Sequence, residues 1–137
     1  LKTLRKLDRN LRKNLMVLFA AGFLFWSSLA SLLPTLPLYA RDIGGTEQQI
    51  GIVMGSFAIG LLLFRASLGR LADRRSRKIV LLIGLCAAAI APLGYILAQS
   101  IPLLMVIRAF HGISIAAFST GYSALVVDLS PPQNRGE

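Results

Sequence analysis

Apolar and charged positions alternate along the chain in long blocks rather than residue by residue. No charged side chain occurs from Leu15 to Leu33, and the apolar character carries on toward Tyr39. Further apolar runs cover about 50–68, 79–98 and 103–127. About 20 apolar residues cross a hydrocarbon core as a helix, so the pattern predicts four transmembrane helices at about 15–39, 50–68, 79–98 and 103–127, and no strand. Pro34 and Pro37 remove two backbone donors and are expected to kink or end the first helix near the far interface, either as a simple stop or to shape a cavity mouth. Pro92 is expected to bend the third. Gly51, Gly55 and Gly60 are read as lying along one side of the second span, as small residues that let another helix approach closely.

Composition fits this reading. Of 137 residues, 55% are hydrophobic and only 15% charged, which marks an all-α polytopic membrane protein rather than a soluble domain. A net charge of +9 could indicate nucleic acid, but that needs a basic face on a soluble fold. Here the basic residues bunch at the membrane flanks, so nucleic acid is excluded as a partner and the lipid bilayer is expected instead.

Their distribution also sets the topology. Lys2, Arg5, Lys6, Arg9, Arg12 and Lys13 fill the first 14 residues, a basic amphipathic arm that could lie on an anionic leaflet. Arg65, Arg70, Arg74, Arg75, Arg77 and Lys78 flank the second connection, and Arg135 lies in the last. Arg65 sits within the second span near its basic end and can snorkel to the interface. The other two connections hold only Arg41, beside Asp42 and Glu47. Positive charge stays on the cytoplasmic side, so the N-terminus and the 69–78 segment are expected there, in a multi-pass protein of the inner (plasma) membrane. The arm is read as 1–14, the helical region as 15–129, and 130–137 as the start of a cytoplasmic loop to a fifth helix. The sole cysteine, Cys86, excludes an intramolecular disulfide and a thiolate metal site, and is read as packing. No phosphate loop, nucleophile elbow or metal-ligand cluster occurs, so neither enzyme activity nor a cofactor is expected.

Two segments carry chemistry. Gly69-Arg70-Leu71-Ala72-Asp73-Arg74-Arg75-Ser76-Arg77-Lys78 is read as a tight charged turn between spans, in which Gly69 can take a positive φ and Asp73 and Arg77, if helical, sit one turn apart. Its order resembles the loop between the second and third helices of the major facilitator superfamily, approximately G-x-x-x-D-R-x-G-R-[RK], with Ser76 where that pattern prefers Gly. In the fourth span, Arg108 is an embedded charge costing at least ~2.5 kcal/mol, which by default faces a partner or a water-filled cavity. Arg108-x-x-His111-Gly112 resembles the same family's R-x-x-Q-G, associated with proton coupling in drug antiporters, with His for Gln. An imidazole beside a guanidinium favours its neutral form, which argues against His111 as the sole proton carrier. No Asp or Glu lies inside the spans, so a carboxylate carrier belongs to other sequence or to the substrate.

The resemblance implies further roles. Asp128 would meet Arg77 at the cytoplasmic face, so that Gly69, Asp73, Arg74, Arg77, Lys78 and Asp128 form a conformational gate. Pro131, Arg135 and Gly136 resemble the pattern of the loop that follows. Arg108, His111 and Gly112 would serve coupling at a cavity lined by spans one and four, and Gly51, Gly55 and Gly60 would pack against helices beyond this sequence. Trp26, Tyr39 and Tyr122 could line a drug site or anchor at interfaces. Family members have about twelve helices, so the chain is expected to be the N-terminal part of a proton-coupled exporter of drugs or other small molecules, with protons, a small-molecule substrate and the missing C-terminal helices as partners. Two rivals stay open: a small dimeric four-helix multidrug transporter, whose type relies on an acid in the first span, and a non-transporting interaction or folding module.

Overall fold

A computed structural model describes residues 9–129, and over them the chain is four α-helices joined by short connections. Helix α1 runs Arg9–Asp42, α2 Glu47–Arg74, α3 Arg77–Leu97 and α4 Ile101–Leu129. Each is long and apolar enough to cross a membrane. The arm's first eight residues and the Pro131, Arg135 and Gly136 resemblance lie outside the described residues. From Arg9 onward the arm is continuous with α1, so helix rather than separate arm occupies 9–14.

All four helices are bounded differently from the apolar runs, and the reason is physical. Hydropathy marks where lipid begins, whereas a helix ends where its hydrogen bonding is interrupted, so polar turns continue beyond the apolar run. Pro34 and Pro37 lie inside α1 without ending it, as Pro92 does in α3. Within a bilayer a helix tolerates a lost backbone bond better than it tolerates unwinding into lipid.

What ends α1 is Gly44 at φ +89°, a left-handed conformation that glycine alone adopts freely, with the Gly44 and Gly45 N–H groups donating to Arg41 and Ala40 carbonyls at 2.9 Å. Thr46 then starts α2 through a reciprocal cap: its hydroxyl accepts from the Gln49 N–H at 3.3 Å, and the Gln49 side-chain oxygen accepts from the Thr46 N–H at 2.9 Å. At the same end the Tyr39 hydroxyl donates to the Ala98 carbonyl at 2.8 Å, tying α1 to the end of α3. An interior cluster of Leu36, Ala40, Ile50, Val53, Tyr95 and Leu104 packs beneath it.

Helix α4 is the most buried of the four, with α2 and α3 packed closely against it. Glycines set both contacts. A Cβ on Gly60 would run into the Ala109 carbonyl, and one on Gly112 into the Phe57 carbonyl, so the backbones of α2 and α4 touch at a reciprocal small-residue crossing. On the other side, a Cβ on Gly84 would come within 2.5 Å of the Phe118 nitrogen. Helix α1 leans mainly on α4, through Phe25 stacked on Phe118 with ring centroids 3.8 Å apart, and leaves Phe19, Phe23, Leu24 and Leu33 exposed.

This arrangement corrects the glycine stripe. Gly51 and Gly55 are exposed with nothing within 4 Å of a Cβ, but Gly60 is buried against α4. Nine residues at about 100° each place Gly60 on the opposite side of the helix from Gly51. Cys86 is likewise exposed, on an apolar groove with Phe64, Leu82 and Phe110, rather than packed inside.

Candidate functional site

Two groups of polar side chains stand out against the apolar helices. The first lies at the end bearing the basic segment. Gly69, Asp73 and Arg74 belong to the last turns of α2, and Arg77 and Lys78 open α3, so only Arg75 and Ser76 form the connection. Gly69 is therefore helical, with open space around it, and has no turn to make. Ser76 is extended at φ −163°, ψ 129°, a conformation open to any residue, so its departure from the family's glycine costs the backbone nothing.

Arg77 reaches α4: its Nη1 donates to the Ala124 carbonyl at 3.2 Å and pairs with the Asp128 carboxylate. Gly121 makes this possible, since a Cβ there would come within 2.8 Å of the Arg77 carbonyl and 2.7 Å of the Leu81 nitrogen. The pair is partly open to solvent, at 37% and 50% exposure, which limits it to about 0–1 kcal/mol and leaves it easily broken. Asp73 does not join it. Asp73 is exposed and makes no hydrogen bond or ion pair among the described residues, as the break at 75–76 starts a new helix and cancels the one-turn spacing to Arg77. Arg74 and Lys78 are exposed as well.

The second group surrounds Arg108, which is only 4% exposed. Its guanidinium lies over the Phe57 ring, 4.5 Å from the centroid. His111 is fully buried, with Nδ1 3.0 Å from the Tyr95 hydroxyl and its ring 5.9 Å from that of Phe57 in an edge-on contact. Arg108 Nε and Nη1 and His111 Nε2 have no hydrogen-bond partner among the described residues. A buried polar group left unpaired costs about 1–3 kcal/mol, more when charged. The cluster is thus a cation and an imidazole held in the bundle with hydrogen-bonding capacity to spare.

Arg108 is buried inside the bundle, as its cost implied, against Phe57 of α2. Gly112 is a packing residue, as the α2–α4 crossing shows, and it is this close crossing that brings Phe57 to His111. Sequence reasoning missed Phe57, Tyr95 and Gly121. For Tyr95 a signal existed: a hydroxyl inside an apolar run needs a partner, and the embedded polar residues of α4 could supply one.

A third feature is a shallow groove along α1 and the far end of α4, lined by Phe19, Phe23, Trp26 and Tyr122. Tyr122 packs across Gly22, where a Cβ would fall 2.8 Å from the phenol oxygen. Of the three aromatics singled out above, Trp26 and Tyr122 therefore share one surface, while Tyr39 is tied elsewhere.

Comparison with known proteins adds to this geometry. The family model described as Major Facilitator Superfamily matches residues 18–137. The quinolone resistance protein NorA of Staphylococcus aureus is 26% identical over 127 residues, covering 93% of this chain and 33% of NorA. An uncharacterized MFS-type transporter of Methanocaldococcus jannaschii, MJ1560, is 24% identical with the same coverage of each chain. The chain spans about a third of the length of these relatives.

Proposed function

The chain belongs to the major facilitator superfamily, a family of transporters, and on that premise we propose that it supplies the opening four helices of a proton-coupled exporter of drug-like small molecules working by alternating access. The observation that carries the reading is Arg108, a buried guanidinium with two nitrogens unpaired among the described residues. An unpaired interior cation attracts whatever carboxylate approaches it, and a carboxylate that gains and loses such a partner during a conformational cycle takes up and releases protons. Helices beyond this sequence, or the substrate, supply that carboxylate. The aromatic groove of α1 and α4 suits flat or cationic substrates, and the resistance relative supports a drug. The basic end, with the N-terminus, faces the cytoplasm of a plasma membrane.

The test is transport by the full-length protein in proteoliposomes under an imposed proton gradient. Accumulation of a fluorescent cationic drug should follow the gradient and stop when an ionophore collapses it. Uptake indifferent to the ionophore would overturn proton coupling.

In this reading the Arg77–Asp128 pair and the Ala124 contact latch α3 to α4 and form the gate, with Asp73, Arg74 and Lys78 exposed, and half-buried Gly69 beside open space, for contact with the remaining helices. Arg77→Asp and Asp128→Arg, each alone, are expected to change the rate of exchange between inward and outward states several-fold with little change in substrate affinity. The double swap should recover part of the rate. Distance probes on the two halves of the full-length protein would read this, and single swaps that weaken substrate binding but leave exchange unchanged would remove the gate.

A further inference from the structure

Close helix contacts in this bundle are made on glycines, at Gly60, Gly84, Gly112 and Gly121. The apolar groove that exposes Cys86 is built differently, with Phe64 and Leu68 of α2, Leu82 and Ile90 of α3 and Phe110 of α4 along it. A second groove, toward Leu97, shares Ile90 and Phe110 with the first, so the two run together as one furrow. Among the described residues, none lining either groove carries a charge, a hydroxyl or a side-chain amide. Large rims keep a second helix backbone at a distance, whereas a thin, bendable hydrocarbon chain can follow them.

The furrow meets charge where α2 runs into α3. Arg75 caps α2 in the right-handed helical region, its N–H donating to the Leu71 carbonyl at 2.9 Å. Eleven residues at about 100° each bring Arg75 back to the side of α2 that carries Phe64, while the nine from Phe64 to Asp73 put that carboxylate on the opposite side. Arg77 is turned to Asp128. That leaves Arg75, with Lys78 next to Ile79 at the start of α3. Both are exposed, and neither side chain makes a hydrogen bond or ion pair among the described residues. An apolar trough ending in two unpaired cations has the profile of a phospholipid, and the sign of the charge favours a headgroup with net negative charge over a zwitterionic one. We propose that the furrow seats an acyl chain of an anionic phospholipid whose phosphate is held by Arg75 and Lys78. The inference requires that the helices stand in a bilayer and is independent of what the protein transports.

Photocrosslinking of the full-length protein in phosphatidylcholine vesicles tests this. The probe is a trace of phosphatidylglycerol with a diazirine in one acyl chain, the control is phosphatidylcholine with the same chain, and the labelled peptides are mapped by mass spectrometry. A basic side chain at an anionic headgroup favours binding about fivefold, so two should make labelling between Ile79 and Leu97 about 25-fold stronger with the phosphatidylglycerol probe. Arg75→Gln should cut that excess to about fivefold, and Arg75→Gln with Lys78→Gln should abolish it. Cys86→Trp places a large ring in the furrow from an exposed position and should remove labelling there by both probes, while labelling elsewhere on the protein continues and shows that the variant is folded in the membrane. Equal labelling by the two headgroups would overturn the proposal, as would an excess that survives the double substitution. So would a furrow labelled no more densely than the rest of the lipid-facing surface, or left unlabelled because a later helix covers it.

Discussion

Replacing Gly112 by alanine should unfold much of the α2–α4 packing, with a loss on the order of 1–3 kcal/mol or more in the detergent-solubilised chain. A single methyl group there would overlap the Phe57 carbonyl and crowd the Leu61 nitrogen at 2.8 Å, and these are backbone atoms that cannot rotate away. The helices would have to separate, and because the crossing is reciprocal, separation also strands Gly60 from Ala109. Phe57 would draw back from Arg108 and His111 at the same time. Gly55→Ala provides the contrast, since open space surrounds it and alanine is the better helix former. Unfolding monitored by helicity during denaturing-detergent titration should rank Gly112→Ala far below the parent and Gly55→Ala at or slightly above it. If Gly112→Ala unfolds with the parent, the close crossing is wrong.

The second large effect concerns Arg108 and separates stability from activity. Arg108→Gln removes a buried charge whose Nε and Nη1 are unpaired among the described residues, so the folded protein should melt no lower than the parent despite the altered core. Proton-driven transport by the full-length protein should nevertheless fall at least about tenfold, the effect of losing about 1.4 kcal/mol in the rate-limiting state. Arg108→Lys should fail too. An ammonium is a point charge without the planar guanidinium that lies over the Phe57 ring. Substrate affinity measured separately should change much less. Full proton-driven transport in both variants would reduce Arg108 to a packing residue.

The four helices were legible because bilayer solvation writes itself onto the chain: long uncharged runs, with basic residues between them. The cost of an embedded guanidinium likewise singled out Arg108 before any contact was known. What escaped depended on angles and on partners. Gly60 was grouped with Gly51 by residue type, although the helical turn sets them on opposite sides. The Gly69–Arg74 stretch read as a turn because charge excludes it from lipid, but charge does not unwind a helix that water can surround. Phe57 and Tyr95 look like any other aromatics in apolar runs, and only the folding of α2 and α3 onto α4 gives them neighbours. Gly121 could not be linked to Arg77 from sequence, since 44 positions separate them and the link exists only through the antiparallel pairing of α3 and α4.

The bond from the Tyr39 hydroxyl to the Ala98 carbonyl joins positions 59 residues apart, and that separation is also an interval of time. At roughly 5–20 residues per second, the ribosome finishes Tyr39 about 3–12 s before Ala98 exists. Helix α1, whose main support is the still later α4, must spend that interval in the membrane without that support. A phenol is suited to the wait, because at the end of a span its ring rests in the interface while its hydroxyl bonds to water or lipid headgroups. Completion of α3 then replaces that transient partner with a permanent one. The same side chain serves first as a mooring during biosynthesis and afterwards as a fastening of the finished bundle.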